Sequence, residues 1–534
     1  MIARLRTSWV AVLLIVIASV FVPTSAVSAH AGLEESEPKP SSWLATSPSE
    51  VVLYFDEPVG VVFARIQILD QDGKEVFEAR PTRDADDHAT VRANIDELGD
   101  GTWVVVWRVA SADSHPVQGS FAFSIGTRVS DVTAVLNAGI SDRHGLNNLF
   151  NVIRFAMFAG VLTLLGGAAL VAFGSRSAPS IRTRMSLWSA WAVALFASVQ
   201  ALFAYGPHAS GVKIYSLTDL SLLGDTMTTL FGQATLARVL LLLLFSLVLI
   251  TIDRRSQRWW RMSAIAIAVA VAGSMSAVGH PINQSPVGLS VALDMMHLLA
   301  VSMWVGGLFL ITIDRKYWLR STQSMLWFSR IAGYSVVILA TTGIGQTFLL
   351  MDRFSDVFTI EFGQKLSVKV LLVAALVALG GLSRRTLHAA GPAKLHQSVL
   401  VESLVALIIV GITALIVALP PSAQASLVPF ETTLKQSGLI ATVTVTPARV
   451  GTTEIHVSIA SLDGTFLQIQ SITGRVGLPE RSLPNGPISF EKTGPDHYTA
   501  VVSFAFAGDW DLDILVKPTD TTTVLFSTDV LIKK

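Results

Sequence analysis

The sequence predicts a multi-domain membrane protein in which two all-β domains flank a bundle of eight transmembrane helices. Hydrophobic residues make up 51% of the 534 residues and charged residues only 15%, against about 25% in soluble domains. Apolar stretches long enough to span a membrane are confined to the middle of the chain, and both flanking parts show short alternating runs. The formal net charge is zero and no long basic tract occurs, so no nucleic-acid partner is expected.

The first 29 residues have the pattern of a secretory signal peptide. Arg4 and Arg6 form a basic start, residues 9–22 are apolar, and small residues lead to Ala29. Cleavage after Ala29 would make His30 the first residue of the mature chain. An amino-terminal histidine can hold one metal ion with both its free α-amine and its imidazole Nδ1, a chelate that no internal histidine can form.

Residues 30–126 are predicted to form a small all-β domain. The runs EVVLYFDEPV and ARIQILDQDGKEV alternate apolar and polar residues, and Asp72-Gly73 supplies hairpin turn chemistry. GTWVVVWRVAS and GSFAFSIG are two further candidate strands. This size and pattern suit a β-sandwich or barrel, followed by a linker over residues 127–148.

Residues 149–419 contain eight apolar stretches, each near the ~20 residues that a hydrocarbon core of ~30 Å requires. They lie at residues 149–173, 185–206, 234–252, 261–279, 288–313, 328–350, 365–383 and 399–419. The middle of the chain is therefore predicted to be a membrane domain.

Basic residues in the short loops predict the orientation of this domain. With the mature amino terminus outside, the inner loops hold fourteen Lys and Arg residues, whereas the three outer loops hold only Lys213 and Arg353. The positive-inside rule then places both β domains outside the cytoplasm, on a multi-pass protein of the plasma membrane. The inner residues are Arg176, Arg182, Arg184, Arg254, Arg255, Arg258, Arg261, Arg315, Lys316, Arg320, Arg330, Arg384, Arg385 and Lys394.

Residues 420–534 return to the alternating pattern of a β domain. The runs LIATVTVTPARVGTTEIHVSIASLDG, HYTAVVSFAFAG and WDLDILVKP are punctuated by Gly and Pro. We expect a second all-β domain, folded as a sandwich.

The segment VASADSHPVQGSF points to a metal in the first β domain. Asp113 and His115 are two residues apart, so an extended chain would place both side chains on one face, and Pro116 favours an extended His115. With His30 they offer three nitrogens and one oxygen, a set that suits Cu(II). The sequence contains no cysteine, which excludes disulfides and thiolate metal sites. The alternative is an Asp-x-His surface pair that binds no metal.

The segments HAGLEESEPKP, VVLYFDEPV and WVVVWRVASADSHPVQGSFAFSIG resemble the bacterial CopC copper-binding domain. This resemblance implies a Greek-key β-barrel over residues 30–126 and a Cu(II) site made by His30, Asp113 and His115. Some members of that family carry a methionine-rich Cu(I) site. Residues 30–151 contain no methionine, so Cu(II) is the ion expected here.

The membrane part resembles CopD, a bacterial protein often fused to CopC, in SAVGHP, LDMMHLLAVSMWVGGLFL, FSRIAGYSVVILATTGIGQ and FGQKLSVKVLLVAALVALGGLSRR. The tail resembles the YtkA-like β domain in VTPARVGTTEIHVSI and DHYTAVVSFAFAGDWDLDILV. Together these resemblances imply a protein of copper import, homeostasis or resistance, not an enzyme. It would capture extracytoplasmic Cu(II) and deliver copper to the transmembrane domain.

Ionisable residues inside predicted spans suggest a route for copper, because such residues are costly in lipid and are functional candidates. His297 lies about 13 Å below the outer end of the fifth span, Asp294 precedes it by one turn, and His280 belongs to the outer mouth. We interpret His280, Asp294 and His297 as a transmembrane copper path. Thioethers suited to Cu(I) lie nearby at Met295, Met296 and Met303.

Other interpretations of these residues remain open. His297 can serve in an interhelical hydrogen bond, His280 at the membrane interface, and the methionines as gap-filling side chains. In a haem-bearing electron carrier or metal reductase, His280 and His297 would be axial ligands. Copper monooxygenases also bind copper with an amino-terminal histidine and a second histidine, which is the third possibility.

The remaining histidines and motifs add little to these alternatives. His208 lies at another outer mouth and is a weaker candidate, and His388 and His396 are expected to be solvated in the cytoplasm. No G-x-x-x-x-G-K-[ST] loop occurs, so an ATP-driven pump is not expected. The expected partners are copper ions and the lipid bilayer, and no protein partner is predicted.

Overall fold

The computed structural model describes most of the chain between Leu33 and Ile532. The described residues are 33–40, 42–55, 57–84, 87–111, 116–126, 144–175, 177–212, 214–351, 356–419, 430–446, 448–461, 469–481, 483–494, 497–519 and 521–532. The predicted signal peptide lies outside these ranges, as do His30, Asp113 and His115.

The amino-terminal part consists of two β-sheets around one hydrophobic core. A four-stranded sheet has the order β1-β3-β7-β6, and a five-stranded sheet has the order β2-β9-β8-β4-β5. Every pairing is antiparallel except that of β2 with β9. The strands are β1 Leu33–Glu37, β2 Trp43–Leu44, β3 Glu50–Phe55, β4 Gly60–Leu69, β5 Glu75–Ala79, β6 Thr82–Arg83, β7 Thr90–Asn94, β8 Gly101–Ala110 and β9 Pro116–Ile125.

The predicted turn at Asp72-Gly73 joins β4 to β5. The Asp70 carboxylate accepts hydrogen bonds from the backbone N–H groups of Asp72 (3.0 Å) and Lys74 (2.9 Å). Gly73 has a φ of 78°, a left-handed conformation that glycine adopts without steric cost. The hairpin prediction is confirmed.

The middle of the chain is helical, and all eight predicted spans coincide with helices. The first span continues from α1 into a π-helical turn, Leu170–Gly174, and the fifth passes from α6 through the π-helical turn Ser302–Gly306 into α7. The helices are α1 His144–Ala169, α2 Ile181–Ser210, α3 Leu220–Thr228, α4 Leu230–Ile250, α5 Arg258–Ser276, α6 Val287–Val301, α7 Gly307–Ile313, α8 Arg315–Trp318, α9 Thr322–Leu350, α10 Asp356–Thr359, α11 Glu361–Ala390 and α12 His396–Ile416.

Seven described helical segments are long and apolar enough to cross a membrane. The remaining predicted span is the 19-residue helix α5, which begins with Arg258 and carries a second arginine at position 261. Because it is short and begins with charged residues, α5 is the weakest candidate for a membrane span among the eight. The three-part fold class is therefore confirmed, with eight as an approximate helix count.

The first and fifth spans approach each other through glycines. A Cβ atom at Gly166 would overlap the carbonyl oxygen of Ser302, and one at Gly306 would overlap the carbonyl oxygen of Leu162. Small residues allow such backbone contact between membrane helices, where packing replaces the hydrophobic effect as the driving force. Glycine at both positions is thus a steric requirement of this pair of helices.

The carboxy-terminal part is a β-sandwich, as predicted. Its five-stranded sheet has the order β10-β11-β12-β16-β15, and its four-stranded sheet has the order β14-β13-β17-β18. The strands are β10 Phe430–Gln436, β11 Leu439–Thr446, β12 Gly451–Ser461, β13 Ser471–Leu478, β14 Leu483–Ser489, β15 Glu491–Gly494, β16 His497–Phe504, β17 Gly508–Thr519 and β18 Thr522–Ile532.

The two β domains together form one compact unit, and the helices form another. Within the β unit, the Lys39 ammonium contacts the Glu454 carboxylate at 3.0 Å, and Arg449 pairs with Glu34. Both pairs join the amino-terminal sheets to the carboxy-terminal sandwich. Partly exposed ion pairs of this kind stabilise weakly, by about 0 to 1 kcal/mol each, but they fix which surfaces meet.

The glycine contact between the first and fifth spans can be tested with Gly166→Ala. The added methyl group meets backbone atoms, which cannot rotate away, so we expect destabilisation of about 1–3 kcal/mol or more. Thermal unfolding of the purified protein in detergent measures the change. The matched control is Gly380→Ala in α11, where an added Cβ meets no atom within 4 Å. An unchanged midpoint for Gly166→Ala would contradict the contact.

Candidate functional site

The predicted Cu(II) ligands lie outside the described residues, but the strands that lead to them are described. Asp113 and His115 fall between β8 and β9, whose ends are paired at Ala110 and Pro116. His30 precedes Leu33, which pairs with Phe55 at the end of β3. These flanking strands are the part of the site that the structure positions.

The ends of these strands meet at one end of the amino-terminal domain. Ala110 pairs with Gly60 at the start of β4, and β4 follows β3 after a short connection that begins beyond Phe55. Across the two sheets, Phe55 packs edge-to-face on Trp107, with ring centroids 5.3 Å apart. The start of β1 and the end of the β8–β9 ladder at Ala110 and Pro116 therefore lie at the same end of the sandwich.

The motif around Asp113 and His115 also contains a steric requirement. A Cβ atom at Gly119 would lie 2.5 Å from Cζ2 of Trp107 and 2.7 Å from Cε2. Trp107 is 2% exposed and pairs with Gly119 across the β8–β9 ladder. Glycine at position 119 thus leaves room for the buried indole on the neighbouring strand.

His280 lies between the fourth and fifth spans, as predicted. It opens the short 3₁₀ helix His280–Asn283 and is 8% exposed. Its ring packs edge-to-face on Phe362 near the start of α11, with centroids 6.2 Å apart. The residue is thus enclosed by the helical domain at the mouth of the bundle.

Asp294 and His297 are held by hydrogen bonds from the neighbouring helices. Asp294 accepts one from the Ser276 hydroxyl of α5 (2.6 Å) and one from the Gln346 amide of α9 (3.2 Å). His297 Nδ1 lies 2.9 Å from the Thr342 hydroxyl oxygen of α9. Lys369 of α11 lies within electrostatic range of both side chains. Four helices therefore contribute to one polar cluster.

The contact with Thr342 determines which nitrogen of His297 can bind a metal. The Thr342 hydroxyl donates to the carbonyl of Ile338 at 2.7 Å, so its oxygen accepts from the Nδ1–H of His297. The proton is then on Nδ1 and the lone pair is on Nε2, as in histidine ligands whose second nitrogen donates to an oriented oxygen. With the Thr342 proton on the Ile338 carbonyl, His297 would have the tautomer of an Nε2 ligand.

The three predicted path residues do not form a single metal site. Among the described residues, no group of three or more His, Asp or Glu side chains is placed to hold a metal ion. The predicted path would thus have His280, Asp294 and His297 act in succession.

The three methionines that were candidate Cu(I) ligands differ in their surroundings. The Met295 sulfur would lie 3.8 Å from a Cβ built at Gly273, so this side chain fills the space beside α5. Met296 is 50% exposed. Met303 lies in the π-helical turn, a geometry that is frequent at functional sites. The weaker candidate His208 stacks on Phe150, with ring centroids 4.6 Å apart.

Sequence reasoning missed several ionisable residues inside the spans. Lys369 joins the polar cluster of Asp294. Arg238 is 2% exposed and donates to the Ser274 carbonyl at 2.8 Å, and Arg154 donates to the Ala414 carbonyl at 3.1 Å. Glu402 accepts from the Ser383 hydroxyl. The rule that ionisable residues inside membrane spans are functional candidates led to Asp294 and His297, and it applies equally to these residues. The sequence therefore contained the signal that could have identified them.

Comparison with known proteins supplies the class. The CopC domain family matches residues 33–126, the N-terminal domain of copper resistance protein D-like proteins matches residues 146–287, and copper resistance protein D matches residues 322–416. These matches cover the first β domain and most of the helical region. They define a multi-pass bacterial membrane protein of copper resistance or transport.

Two relatives agree with this class. The chain is 22% identical to the copper transport protein CutJ of Bacillus subtilis over 490 residues, 88% of each chain. It is 30% identical to copper resistance protein C of Escherichia coli over 104 residues, which cover 18% of this chain and 82% of that protein. The solved CopC of Methylosinus trichosporium is 34% identical over 18% of this chain and 93% of its own, with a TM-score of 0.18.

The chain belongs to the family of CopC/CopD fusion proteins. The predicted membership is confirmed for the first β domain and the helical region. The likeness of the tail to a YtkA-like domain stays a prediction.

The bond between His297 and Thr342 can be tested with Thr342→Val. The substitution keeps the shape of the side chain and removes the oxygen that orients His297, at an expected cost of about 1 kcal/mol in stability. Thermal unfolding in detergent measures it. Thr341→Val is the control, because the Thr341 hydroxyl bonds only to the Val337 and Ile338 carbonyls of its own helix in the described structure. Equal midpoints for the two variants would argue against the interhelical bond.

Proposed function

We propose that the protein captures extracytoplasmic Cu(II) with its amino-terminal His30, together with Asp113 and His115, and delivers copper to the helical domain for import or homeostasis. The observation that carries the proposal is that the start of β1 and the Ala110–Pro116 end of the β8–β9 ladder lie at the same end of a CopC-family domain. His30 is three residues before Leu33, within about 10 Å of extended chain.

The donor set favours Cu(II) at the amino-terminal site. An α-amine, two imidazoles and a carboxylate suit the tetragonal geometry of Cu(II). The α-amine must be neutral to bind, and its reference pKa is about 7.7 to 8.0, so binding releases a proton near neutral pH. Cleavage after Ala29 is required, because any earlier cut leaves His30 internal and removes the chelate.

Orientation links this site to the helical domain. Fourteen basic residues on one side of the predicted bundle and two on the other support an arrangement with both β domains outside the cytoplasm. His280, Asp294 and His297 then lie in the outer part of the bundle. Copper released from the β domain would meet His280 first and the polar cluster next.

The polar cluster supplies what a metal cation needs inside the bilayer. Asp294 offers negative charge and His297 offers the lone pair of Nε2, and both are oriented by bonds from α5 and α9. Lys369 lies near Asp294, and in its protonated form it would compete with a passing cation for this carboxylate, so the cation would be held less tightly. Weak, successive binding suits transport better than one closed site.

The amino-terminal site can be tested with His115→Ala in the full mature chain. Loss of one equatorial nitrogen should weaken Cu(II) binding by more than the 10- to 100-fold that changes around a ligand produce. Competition with a Cu(II) chelator and the paramagnetic spectrum measure the change. His88→Ala is the control, because His88 is exposed on the same domain. Unchanged affinity in His115→Ala, or a mature chain that starts at Val27, would refute the site.

The membrane path can be tested with His297→Ala in cells. We expect loss of copper-dependent accumulation, measured as cellular copper at matched membrane abundance, with Cu(II) binding by the outer domain intact. His280→Ala should cause a smaller loss, and the exposed His388→Ala should have no effect. Wild-type accumulation by His297→Ala would remove this residue from the path. A Soret band in the purified protein would support the haem-bearing alternative instead.

A further inference from the structure

Two histidines of the carboxy-terminal sandwich are buried together on the outer face of a sheet. In strand β12, Ile455, Val457 and Ile459 belong to the hydrophobic core of the sandwich, so the alternate residues of the strand face away from it. One of these is His456, which is 1% exposed. His497, on the adjacent strand β16, is 4% exposed.

The pairing of β12 with β16 brings the two rings together. His456 is opposite Thr499, and Ser458 is opposite His497, so the two histidines are diagonal neighbours on one face. His456 Nδ1 lies 3.3 Å from His497 Nε2. The ring centroids are 5.5 Å apart, and the ring planes are inclined by 33°.

The outward nitrogen of each ring contacts an oxygen. His456 Nε2 lies 3.3 Å from a carboxylate oxygen of Glu454, and His497 Nδ1 lies 3.0 Å from the Ser458 hydroxyl. In metal sites, the histidine nitrogen that does not bind the metal typically donates to an oxygen; Ser458 supplies such a hydrogen bond for His497, and the Glu454 carboxylate lies close to His456 Nε2. The two remaining nitrogens face each other.

The separation of these nitrogens matches a shared metal ion. Two metal–imidazole bonds of about 2.0 Å to nitrogens 3.3 Å apart enclose an angle of about 110°. This angle lies in the range of trigonal and tetrahedral coordination. The ion would displace only the hydrogen bond between the two rings.

Both imidazoles are held neutral, as metal ligands must be. Burial, with a smaller contribution from the neighbouring His456, lowers the pKa of His497 to about 3. Burial is also the largest cause of the lowered pKa of His456, with Glu454 opposing it. A proton on His456 Nε2 facing Glu454 leaves the lone pair on Nδ1. His497 needs only to move its proton to Nδ1, beside Ser458, so binding requires no net loss of protons.

A cleft of about 460 Å³ reaches the two histidines from the surface. Its walls come from both β domains and include Trp43 and Lys39 on one side and Glu454 and Thr499 on the other. Lys39 is paired with Glu454, so the charges beside the histidines are balanced. The cleft therefore gives an ion access to the site. Because Lys39 balances the charge of Glu454, the site has no net negative charge that would attract every divalent cation.

We propose that His456 and His497 form a second copper site, which takes Cu(I) with a third position open to the cleft. Within the described residues no third His, Asp or Glu joins them in a metal-binding group, whereas Zn(II) and Cu(II) generally require four ligands. Cu(I) accepts two imidazoles and one exchangeable ligand. This site is separate from the amino-terminal site of the proposed function and does not depend on it.

The test is Cu(I) binding by the full chain under anaerobic, reducing conditions, with a chromogenic Cu(I) chelator as competitor. All proteins carry His115→Ala, so that the amino-terminal site does not contribute. His456→Ala and His497→Ala should each weaken the binding of one Cu(I) equivalent by at least 100-fold, and His88→Ala should leave it unchanged. Equal Cu(I) binding with and without His497 would overturn the proposal.

A second measurement tests the site without the His456→Ala and His497→Ala substitutions, in case these variants fail to fold. X-ray absorption of the Cu(I)-loaded His115→Ala protein should show two imidazole ligands, and one equivalent of Cu(I) should raise its melting temperature. Absence of imidazole scattering would overturn the site. Zn(II) binding as tight as that of Cu(I) would overturn the choice of ion. Failure of the amino-terminal proposal would appear separately, as loss of the Cu(II) spectrum in the otherwise unaltered chain.

Discussion

The backbone contact between α1 and the π-helical turn Ser302–Gly306 is the constraint on which the helical domain depends. Gly166 and Gly306 each lie where a side chain would overlap the carbonyl oxygen of the opposite segment. Because lipid supplies no hydrophobic drive between helices, such close packing is a main source of their association. The contact fixes the position and rotation of the fifth span, and the first part of that span, α6, carries Asp294 and His297.

Fixing α6 in this way decides which side chains meet inside the membrane. Asp294 and His297 are one turn apart, and their partners Gln346 and Thr342 are one turn apart on the antiparallel helix α9. A rotation of either helix would break both bonds together and leave polar groups in lipid, at high cost. These hydrogen bonds therefore depend on how α6 and α9 pack. The bond to Thr342 also orients His297 so that its Nε2 can face a metal ion.

The β domains also depend on a close glycine contact and on buried side chains. In the amino-terminal domain, Gly119 leaves room for the buried Trp107 indole on the neighbouring strand. In the carboxy-terminal domain, residues of the outer sheet face are buried where the cleft is walled by both β domains. Burial there favours neutral imidazoles, the form that binds metal ions.

The sequence by itself determined the class of the protein, its apolar spans, the Asp70–Lys74 turn and the likeness to copper proteins, because these follow from local periodicity, turn chemistry and contiguous motifs. It did not reveal Lys369 as a neighbour of Asp294, or Thr342 as the partner of His297. It also gave no sign that His456 and His497 touch. These pairs are tens of residues apart, and their contacts depend on helix rotation, depth and strand register. Only the tertiary structure decides those quantities, because they result from packing between elements and not from the pattern within one.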